Sequence, residues 1–165
     1  MNRTYPADMT ADADAPPVAV ERQPRWLTVS TLVLSLIGLA ASVYLTVSHY
    51  TDTALVCTTT GVVDCGAVTN SPQSRVFGIP VAVLGLVFFL VLVPLMTPIA
   101  WRSPLPAVRW LRLGAVVTGL LFVAYLVTAE LAVIGRICEW CTSVHVVVLA
   151  LFALVVTSEM RARPV

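Results

Sequence analysis

The amino-acid sequence predicts an all-α membrane protein: a four-transmembrane-helix bundle with an outer, periplasmic-side loop that contains a cysteine pair. Two observations predict this class. The chain has 165 residues, of which 58% are hydrophobic and only 12% are charged, whereas soluble domains are roughly 45–50% apolar and about 25% charged. The apolar residues also form four runs, each close to the roughly 20 residues that a helix needs to cross a bilayer. The net charge of +1 gives no reason to expect a nucleic-acid partner.

The first apolar run, residues 26–50, follows a polar tail, residues 1–25, that is rich in Ala, Asp and Pro. We expect the tail to be disordered. The run is predicted to be a spanning helix rather than a signal peptide, because run and tail are both long for a signal. The longest polar connection, the predicted outer loop 51–77, comes next and contains Cys57 and Cys65. A loop of this length is usually functional or disordered, and its two cysteines favour function.

The second apolar run covers residues 78–97 and has Pro80 in its first turn, where a missing N–H costs little. A proline-containing connector, residues 98–108, leads to the third run. The third run, residues 109–134, contains Glu130 near its far end. An acid in such a position is either solvated at the membrane interface or functional, and the sequence alone leaves both interpretations open.

The fourth apolar run, residues 138–157, follows a tight turn at Gly135–Arg136 and precedes a short tail, residues 158–165. Cys138 and Cys141 begin this run, with two residues between them. A Cys-x-x-Cys pair can close a disulfide, bind a metal or do neither. Its position relative to the membrane is needed to decide among these possibilities.

The arginines predict that position. All ten basic residues of the chain are arginines, and with four spans only Arg75 and Arg136 fall on the side opposite the termini. The remaining eight lie in the two tails or around the connector: Arg3, Arg22, Arg25, Arg102, Arg109, Arg112, Arg161 and Arg163. Because basic residues concentrate on the cytoplasmic side, both termini are predicted to be cytoplasmic. All four cysteines then lie on the outer, oxidising side, where disulfides persist.

Two cysteine pairs on one side of a membrane suggest a thiol–disulfide relay, because exchange needs an attackable pair and a second pair within reach. The start of a helix favours a thiolate, which makes Cys138 and Cys141 suitable redox residues. An electron acceptor at the edge of the hydrocarbon should be lipid-soluble, and a membrane quinone takes two electrons and two protons. His145 lies one helical turn after Cys141 on the same face, where it could donate a hydrogen bond to a quinone or pass a proton.

Several other interpretations remain open. Cys138, Cys141 and His145 are residue types that bind zinc or copper, although no further ligand is evident nearby. Cys57 and Cys65 could form an inert structural disulfide in a passive helical bundle. His49 and the tryptophans, among them Trp140, are interpreted as residues of the membrane interface.

The ordered set of these residues resembles the vitamin K epoxide reductase family in its bacterial branch. The resemblance covers about residues 26–156. It rests on Ala41-Ser42-Val43-Tyr44-Leu45-Thr46 with His49, on Cys57 and Cys65, on Ser71, on Phe77-Gly78-Ile79-Pro80, on Cys138-Glu139-Trp140-Cys141 and on His145.

The resemblance implies four helices around a quinone, either menaquinone or ubiquinone. It implies that Cys141 faces the quinone, and that Cys138 exchanges with the loop pair. Ser71 and the segment up to Phe77 would cap the pocket, and His145 would lie at the quinone site. The loop pair would oxidise a DsbA-like, thioredoxin-fold partner. Since no thioredoxin-like domain follows the fourth run, that partner is expected to be a separate protein.

The sequence therefore predicts a multi-pass enzyme of the bacterial plasma membrane with a DsbB-like function. It would pass electrons from the Cys57/Cys65 pair to the Cys138/Cys141 pair and on to quinone, and so support disulfide formation in exported proteins. The alternative within the same family is a vitamin K epoxide or quinone reductase that uses external thiols. Epoxide reduction is less expected, because the second apolar run lacks an Asn like the one with which animal members hold the vitamin K ring.

Overall fold

The computed structural model describes residues 23–51, 55–58 and 61–161. Most of the predicted tail 1–25, and residues 162–165 of the other tail, lie outside the described residues. In chain order the elements are α1 (Arg25–Thr51), α2 (Cys65–Thr69), a 3-10 turn (Pro72–Ser74), β1 (Arg75–Val76), β2 (Ile79–Pro80), α3 (Val81–Leu95), α4 (Pro98–Trp101), α5 (Pro106–Thr128), a π-helical turn (Ala129–Ile134) and α6 (Glu139–Arg161).

The described residues form a mostly helical protein with three helices that are long and apolar enough to cross a membrane. These are α1, α5 together with its π-helical turn, and α6. The fourth long apolar helix, α3, has 15 residues and is shorter than the predicted run 78–97. It begins late because Gly78, with φ +81°, turns the chain so that β2 pairs with β1 in an antiparallel hairpin.

Helix α1 packs against α3 and α6, and α5 packs against α6 and α3. Small residues allow two of these close approaches. A Cβ atom at Gly38 of α1 would overlap the ring of Phe89, and one at Gly119 of α5 would lie 2.7 Å from Cζ of Phe88. Because lipid supplies no hydrophobic force between helices, close packing of this kind is a main source of their association.

Helix α5 changes geometry at its end. After Thr128 it continues as the π-helical turn, in which the N–H of Gly135 donates to the carbonyl oxygen of Glu130 at 2.8 Å. Gly135 then ends the turn in the left-handed region, with φ +66°, a conformation that glycine adopts without steric cost. Single π-helical turns often occur at functional sites.

Helix α6 continues through Arg161, past its predicted end at residue 157. Packing explains the extra turn, because Ser158 and Glu159 are buried. Glu159 forms ion pairs with Arg109 and Arg112, the second at 3.7 Å. These residues define one end of the bundle, here called the arginine end.

The predicted outer loop 51–77 has structure of its own over much of its described length. It contains α2, the 3-10 turn and β1. Helix α2 begins after Asp64, whose carboxylate accepts a hydrogen bond from the N–H of Ala67 at 2.9 Å, as an N-cap residue does. This loop and the segment before α6 lie together at the end of the bundle opposite the arginine end, here called the cysteine end.

Candidate redox site

All four cysteines lie in one small hydrophobic cluster at the cysteine end. Its fully buried members are Cys65, Val68 and Cys138, and the half-buried residues packed against them are Leu55, Cys57, Ile134, Trp140 and Cys141. The structure thus brings together two cysteine pairs that are far apart in the sequence. Thiol–disulfide exchange requires this proximity, since it proceeds through a mixed disulfide.

The loop pair is closed. Cys57 and Cys65 form a disulfide with their Cα atoms 6.3 Å apart. The two sulfurs differ in access, because Cys65 at the start of α2 is 1% exposed whereas Cys57 is half-buried. Cys57 is therefore the more accessible member of the pair to another protein.

The backbone after Cys57 is tied to the segment that precedes α6. Val63 and Ile137 form an isolated parallel bridge, in which the N–H of Asp64 donates to the oxygen of Ile137 and the N–H of Ile137 donates to the oxygen of Val62, both at 3.0 Å. Arg136 adds a hydrogen bond from Nη1 to the oxygen of Gly61 at 2.7 Å. These bonds hold Cys65 beside Cys138.

Trp140 fixes the other flank of the loop disulfide. Its Nε1–H donates to the carbonyl oxygen of Val56 at 2.9 Å, and its ring packs on that of Tyr44, with centroids 4.6 Å apart. The N–H of Val56 in turn donates to the hydroxyl oxygen of Tyr44 at 3.2 Å. Both residues between Cys138 and Cys141 hold the loop, because the carboxylate of Glu139 also accepts the N–H of Thr58 at 3.4 Å.

The second pair is open, with free thiols at Cys138 and Cys141. Cys138 is completely buried just before α6, and its sulfur accepts the N–H of Cys141 at 3.3 Å. The hydrogen bond from the Cys141 thiol lowers the pKa of Cys138, and backbone N–H groups at the start of α6 add to this effect against the cost of burial. Cys138 is thus the thiol of this pair that is set up to ionise.

A cavity of about 290 Å³ opens between the long helices on the other side of this pair. Its walls are mainly apolar and include the rings of Phe88 and Phe122. The ionisable side chains that line it are His49 from α1, Glu130 from the π-helical turn, and Cys141 and His145 from α6. Cys141 is therefore the cysteine that contacts the cavity, whereas Cys138 lies behind it.

The residues predicted to bind the cofactor do not all reach this cavity. His145 lines it and is buried, and Ser71 lines it from the loop side, where its hydroxyl donates to the oxygen of Val68 at 2.8 Å. Phe77 lies outside it: the side chain is fully exposed at the tip of the hairpin, with φ +52°. Gln73 and Ser74 cover the cavity in place of Phe77.

Three residues of this site were not assigned a role in it from the sequence. His49 and Trp140 were interpreted as interface residues, yet His49 lines the cavity and Trp140 holds the loop. Glu130 was left open and also lines the cavity. Only Glu130 gave a signal in the sequence, as an acid within an apolar run.

The part of the chain that the structure describes contains no group of side chains that supports the interpretation as a metal site. No set of three His, Cys, Asp or Glu side chains there is arranged to hold an ion. His145 lines the cavity together with Cys141, while Cys138 lies in the buried cluster that contains the loop cysteines.

Comparison with known protein families identifies the class. The profile of the Vitamin K epoxide reductase family matches residues 29–156, which is most of the chain, and the protein therefore belongs to this family. No curated protein matches the chain. Members of the family are membrane oxidoreductases that combine cysteine redox chemistry with quinones, and the three long apolar helices agree with a multi-pass membrane protein.

The residues around the cavity fit a quinone. A quinone is a flat ring with two carbonyl oxygens, so it needs apolar walls and a small number of polar groups. Phe88 and Phe122 supply aromatic walls, and the polar side chains of Gln73 and His145 face the same space. Among the described residues, neither of these two side chains has another hydrogen-bond partner, so both are available to a quinone oxygen.

Proposed function

We propose that this protein is a quinone-dependent membrane thiol oxidoreductase that reoxidises a DsbA-like, thioredoxin-fold partner and so supports disulfide formation in exported proteins. One observation supports this function above the others. The loop disulfide and the inner thiol pair share one hydrophobic cluster, and only the inner pair contacts the cavity, through Cys141. A chain of two-electron exchanges can then start at the loop disulfide, pass through the inner cysteine pair and end at the cavity.

The first exchange involves the accessible loop sulfur. A thiolate of the reduced partner attacks Cys57, the S–S bond to Cys65 breaks, and Cys65 leaves as a thiolate. The second thiol of the partner then displaces Cys57, which completes the partner's disulfide and leaves both loop cysteines reduced. The half-buried position of Cys57 and the burial of Cys65 support this order.

The second exchange is internal. The Cys65 thiolate attacks Cys138 of a Cys138–Cys141 disulfide, Cys141 leaves, and Cys57 then closes the loop disulfide again. The lowered pKa of Cys138 supports its role, because it makes this sulfur a stable thiolate when it is displaced. A closed loop pair with an open inner pair is the state that follows this exchange, and the structure has this combination.

The last exchange transfers two electrons and two protons from the Cys138/Cys141 dithiol to a quinone. The bound quinone supplies the electron-accepting chemistry, and the protein supplies position and proton donors. Cys141 contacts the cavity, and His145 offers a hydrogen bond to a quinone oxygen. A strong oxidant such as DsbA, with a potential of roughly −120 mV, needs an acceptor of still higher potential, which a glutathione pool does not provide.

The arginines support an outward-facing cysteine end. Arg102, Arg109, Arg112 and Arg161 lie at or near the arginine end, whereas the cysteine end has Arg75 and Arg136. With the arginine end in the cytoplasm, the cysteines meet the periplasmic side of a bacterial plasma membrane, where a DsbA-like partner operates.

Trapped mixed disulfides test the function and the order together. In a Cys65→Ser variant, the Cys57 thiolate can attack the disulfide of an oxidised thioredoxin-fold protein and release that protein's second thiol, and no Cys65 thiol is present to displace the partner from Cys57. When host cells are acid-quenched and their thiols alkylated, which blocks the released thiol, we expect this adduct to be trapped. The matched Cys57→Ser variant should give no such adduct. An adduct in Cys57→Ser alone would reverse the order of the loop cysteines, and no adduct in either variant would contradict the function.

A further inference from the structure

Glu130 is the one buried acid on the wall of the cavity within the described residues. Glu130 is 6% exposed and lies in the π-helical turn between α5 and Gly135. No cation and no hydrogen-bond donor of the described residues pairs with its carboxyl group. Burial of an unpaired acid is costly, and in a membrane-spanning segment such residues usually belong to a site for ions, protons or substrate.

The surroundings of Glu130 connect it to the cysteine chemistry. Its carboxyl group interacts electrostatically with both Cys138 and Cys141. It also lines the same cavity as Cys141 and His145. The carboxyl group therefore lines the space in which a quinone would receive protons and is close enough to the thiols that lose them to influence their charge.

The π-helical turn contributes to this position. The hydrogen bond from the N–H of Gly135 to the oxygen of Glu130, at 2.8 Å, spans five residues instead of four. The extra residue in the turn changes the direction of the side chains that follow Thr128 relative to a regular helix. Ala129 and Glu130 are buried in the bundle, whereas the next three residues are exposed.

We propose that Glu130 is the proton-transfer residue of this site: it accepts a proton from the Cys138/Cys141 pair and passes it to a quinone oxygen in the cavity. This inference rests on the proposed function. Oxidation of the pair breaks two S–H bonds, forms one S–S bond and delivers two electrons and two protons to the two quinone oxygens. Glu130 transfers one of these protons, and the second passes from the pair to the other quinone oxygen through His145, which also lines the cavity; both residues return to their starting states.

Few ionisable groups of the described residues line or adjoin the cavity. The ionisable side chains that line the cavity together with Glu130 are His49 from α1 and Cys141 and His145 from α6, and Cys138 adjoins them in the segment before α6. Within the described residues, α3 and the loop segment 71–74 contribute no ionisable side chain to the lining. A pH-dependent step that disappears when Glu130 is replaced is therefore distinguishable from the titration of the two histidines.

The test is a single-turnover measurement on the purified, fully reduced protein in detergent, with decylubiquinone as the probe. Loss of the first two thiols to a disulfide, which forms at Cys138–Cys141 and can pass on to the loop pair, is followed by quenched alkylation in wild type, Glu130→Gln and Glu130→Asp. We expect Glu130→Gln to slow disulfide formation by about 100-fold, which is in the range for loss of a general acid–base group. Glu130→Asp, which keeps a carboxyl group, should retain most of the rate.

A second readout needs no quinone. The rate at which Cys141 of the reduced protein reacts with an alkylating agent, measured against pH, should show one titration step fewer in Glu130→Gln than in wild type. Glu159→Gln at the arginine end is the control for loss of a buried carboxylate, and its profile should match wild type even though its stability falls. Equal rates and equal pH profiles in Glu130→Gln and wild type would overturn the inference.

Two further outcomes separate this inference from the proposed function. If decylubiquinone does not oxidise the thiols of the wild-type protein, the proposed function fails first. If the wild type is oxidised but shows no solvent deuterium effect on that step, only the role of Glu130 fails. This last measurement needs no variant, so the inference stays testable even if Glu130→Gln does not fold.

Discussion

The indole of Trp140 joins the helix with the inner cysteines to the loop with the outer pair. Its Nε1–H donates to the oxygen of Val56, next to Cys57, and its ring packs on Tyr44. A tryptophan within a Cys-x-x-Cys sequence at a membrane edge is otherwise well explained as an interfacial residue. The structure gives it a second role, which is to hold the loop disulfide near Cys138.

Replacement of Trp140 by Phe tests this role. The variant keeps an aromatic ring beside Tyr44 but loses a hydrogen bond worth about 1 kcal/mol. We expect exchange between the two cysteine pairs to slow by about fivefold, the kinetic equivalent of that energy, with quinone affinity unchanged. Trp110→Phe is the control, because Trp110 is 67% exposed. Equal slowing in the two variants would remove the positioning role of Trp140.

The pKa of Cys138 gives a prediction about pH. The hydrogen bond from the Cys141 thiol is the largest cause of the lowered value, so removal of that thiol in Cys141→Ala should raise the pKa of Cys138. The thiolate is the form present above the pKa, and its ultraviolet absorbance should therefore appear at higher pH in the variant. The measurement is made on Cys57→Ser/Cys65→Ser protein, in which only the inner thiols titrate. An unchanged midpoint would show that the hydrogen bond does not stabilise the thiolate.

The sequence was sufficient to identify the four cysteines as site residues, but not to predict the contacts that hold them in place. The spacing of Cys138 and Cys141 and the polarity of the loop are local signals, and they singled out the residues that meet in the cluster. The contact of Trp140 with Val56 joins residues 84 positions apart, and no local pattern contains that information. Phe77 shows the opposite case, because Ser74 and Pro80 on either side of it reach the cavity, while the hairpin, with positive φ at Phe77, leaves its own side chain in solvent.

At the level of elements, the helices were predictable from their apolar runs, whereas their ends were not. The run 78–97 overestimates α3 because hydropathy does not distinguish a helix from the short hairpin strand that precedes it. The run 138–157 underestimates α6 because Glu159 is polar, yet it is buried against Arg109 and Arg112. In both places tertiary contacts decide the boundary.

Helix α5 offers a matched pair of glycines for a packing test. A Cβ at Gly119 would lie 2.7 Å from Cζ of Phe88 and 3.2 Å from Cγ1 of Val148, whereas one at Gly114 would meet nothing within 4 Å. We expect Gly119→Ala to destabilise the protein by about 1–3 kcal/mol and to weaken quinone binding, because Phe88 is a wall of the cavity. Thermal unfolding and quinone titration measure the two effects.

The control for this test is Gly114→Ala. This variant should leave quinone affinity unchanged, and its unfolding temperature should be equal to that of the wild type or slightly higher. If both alanine variants behave alike, the close contact of α5 with α3 does not limit the packing of the bundle.

At the level of the whole molecule, the length of α3 determines how this helix meets the membrane. With about 1.5 Å per residue its 15 residues extend over roughly 22 Å, less than the roughly 30 Å of a bilayer core. The proposed arrangement, with the cysteine end and the arginine end on opposite sides of the membrane, requires that α3 cross it nonetheless. Local thinning of the bilayer or polar residues that reach outward allow a short helix to do so.

Labelling on either side of α3 tests this topology. In protein without its own cysteines, Phe77→Cys precedes α3 and Ile99→Cys follows it, at positions that are 101% and 84% exposed. We expect a membrane-impermeant thiol reagent to label Phe77→Cys in intact cells, and Ile99→Cys only after the membrane is opened. Labelling of both from outside would mean that α3 does not cross.

The central claim is that electrons pass from a partner protein through both cysteine pairs to a quinone. Its most direct test is reconstitution of purified protein with a reduced DsbA-like protein and a soluble quinone, in which partner disulfides and quinol are both counted. We expect one quinol for each partner disulfide, with both products lost in Cys138→Ala and in Cys57→Ser. Quinol formation from the partner that continues in Cys138→Ala, or a wild-type protein that oxidises the partner without forming quinol, would contradict the account.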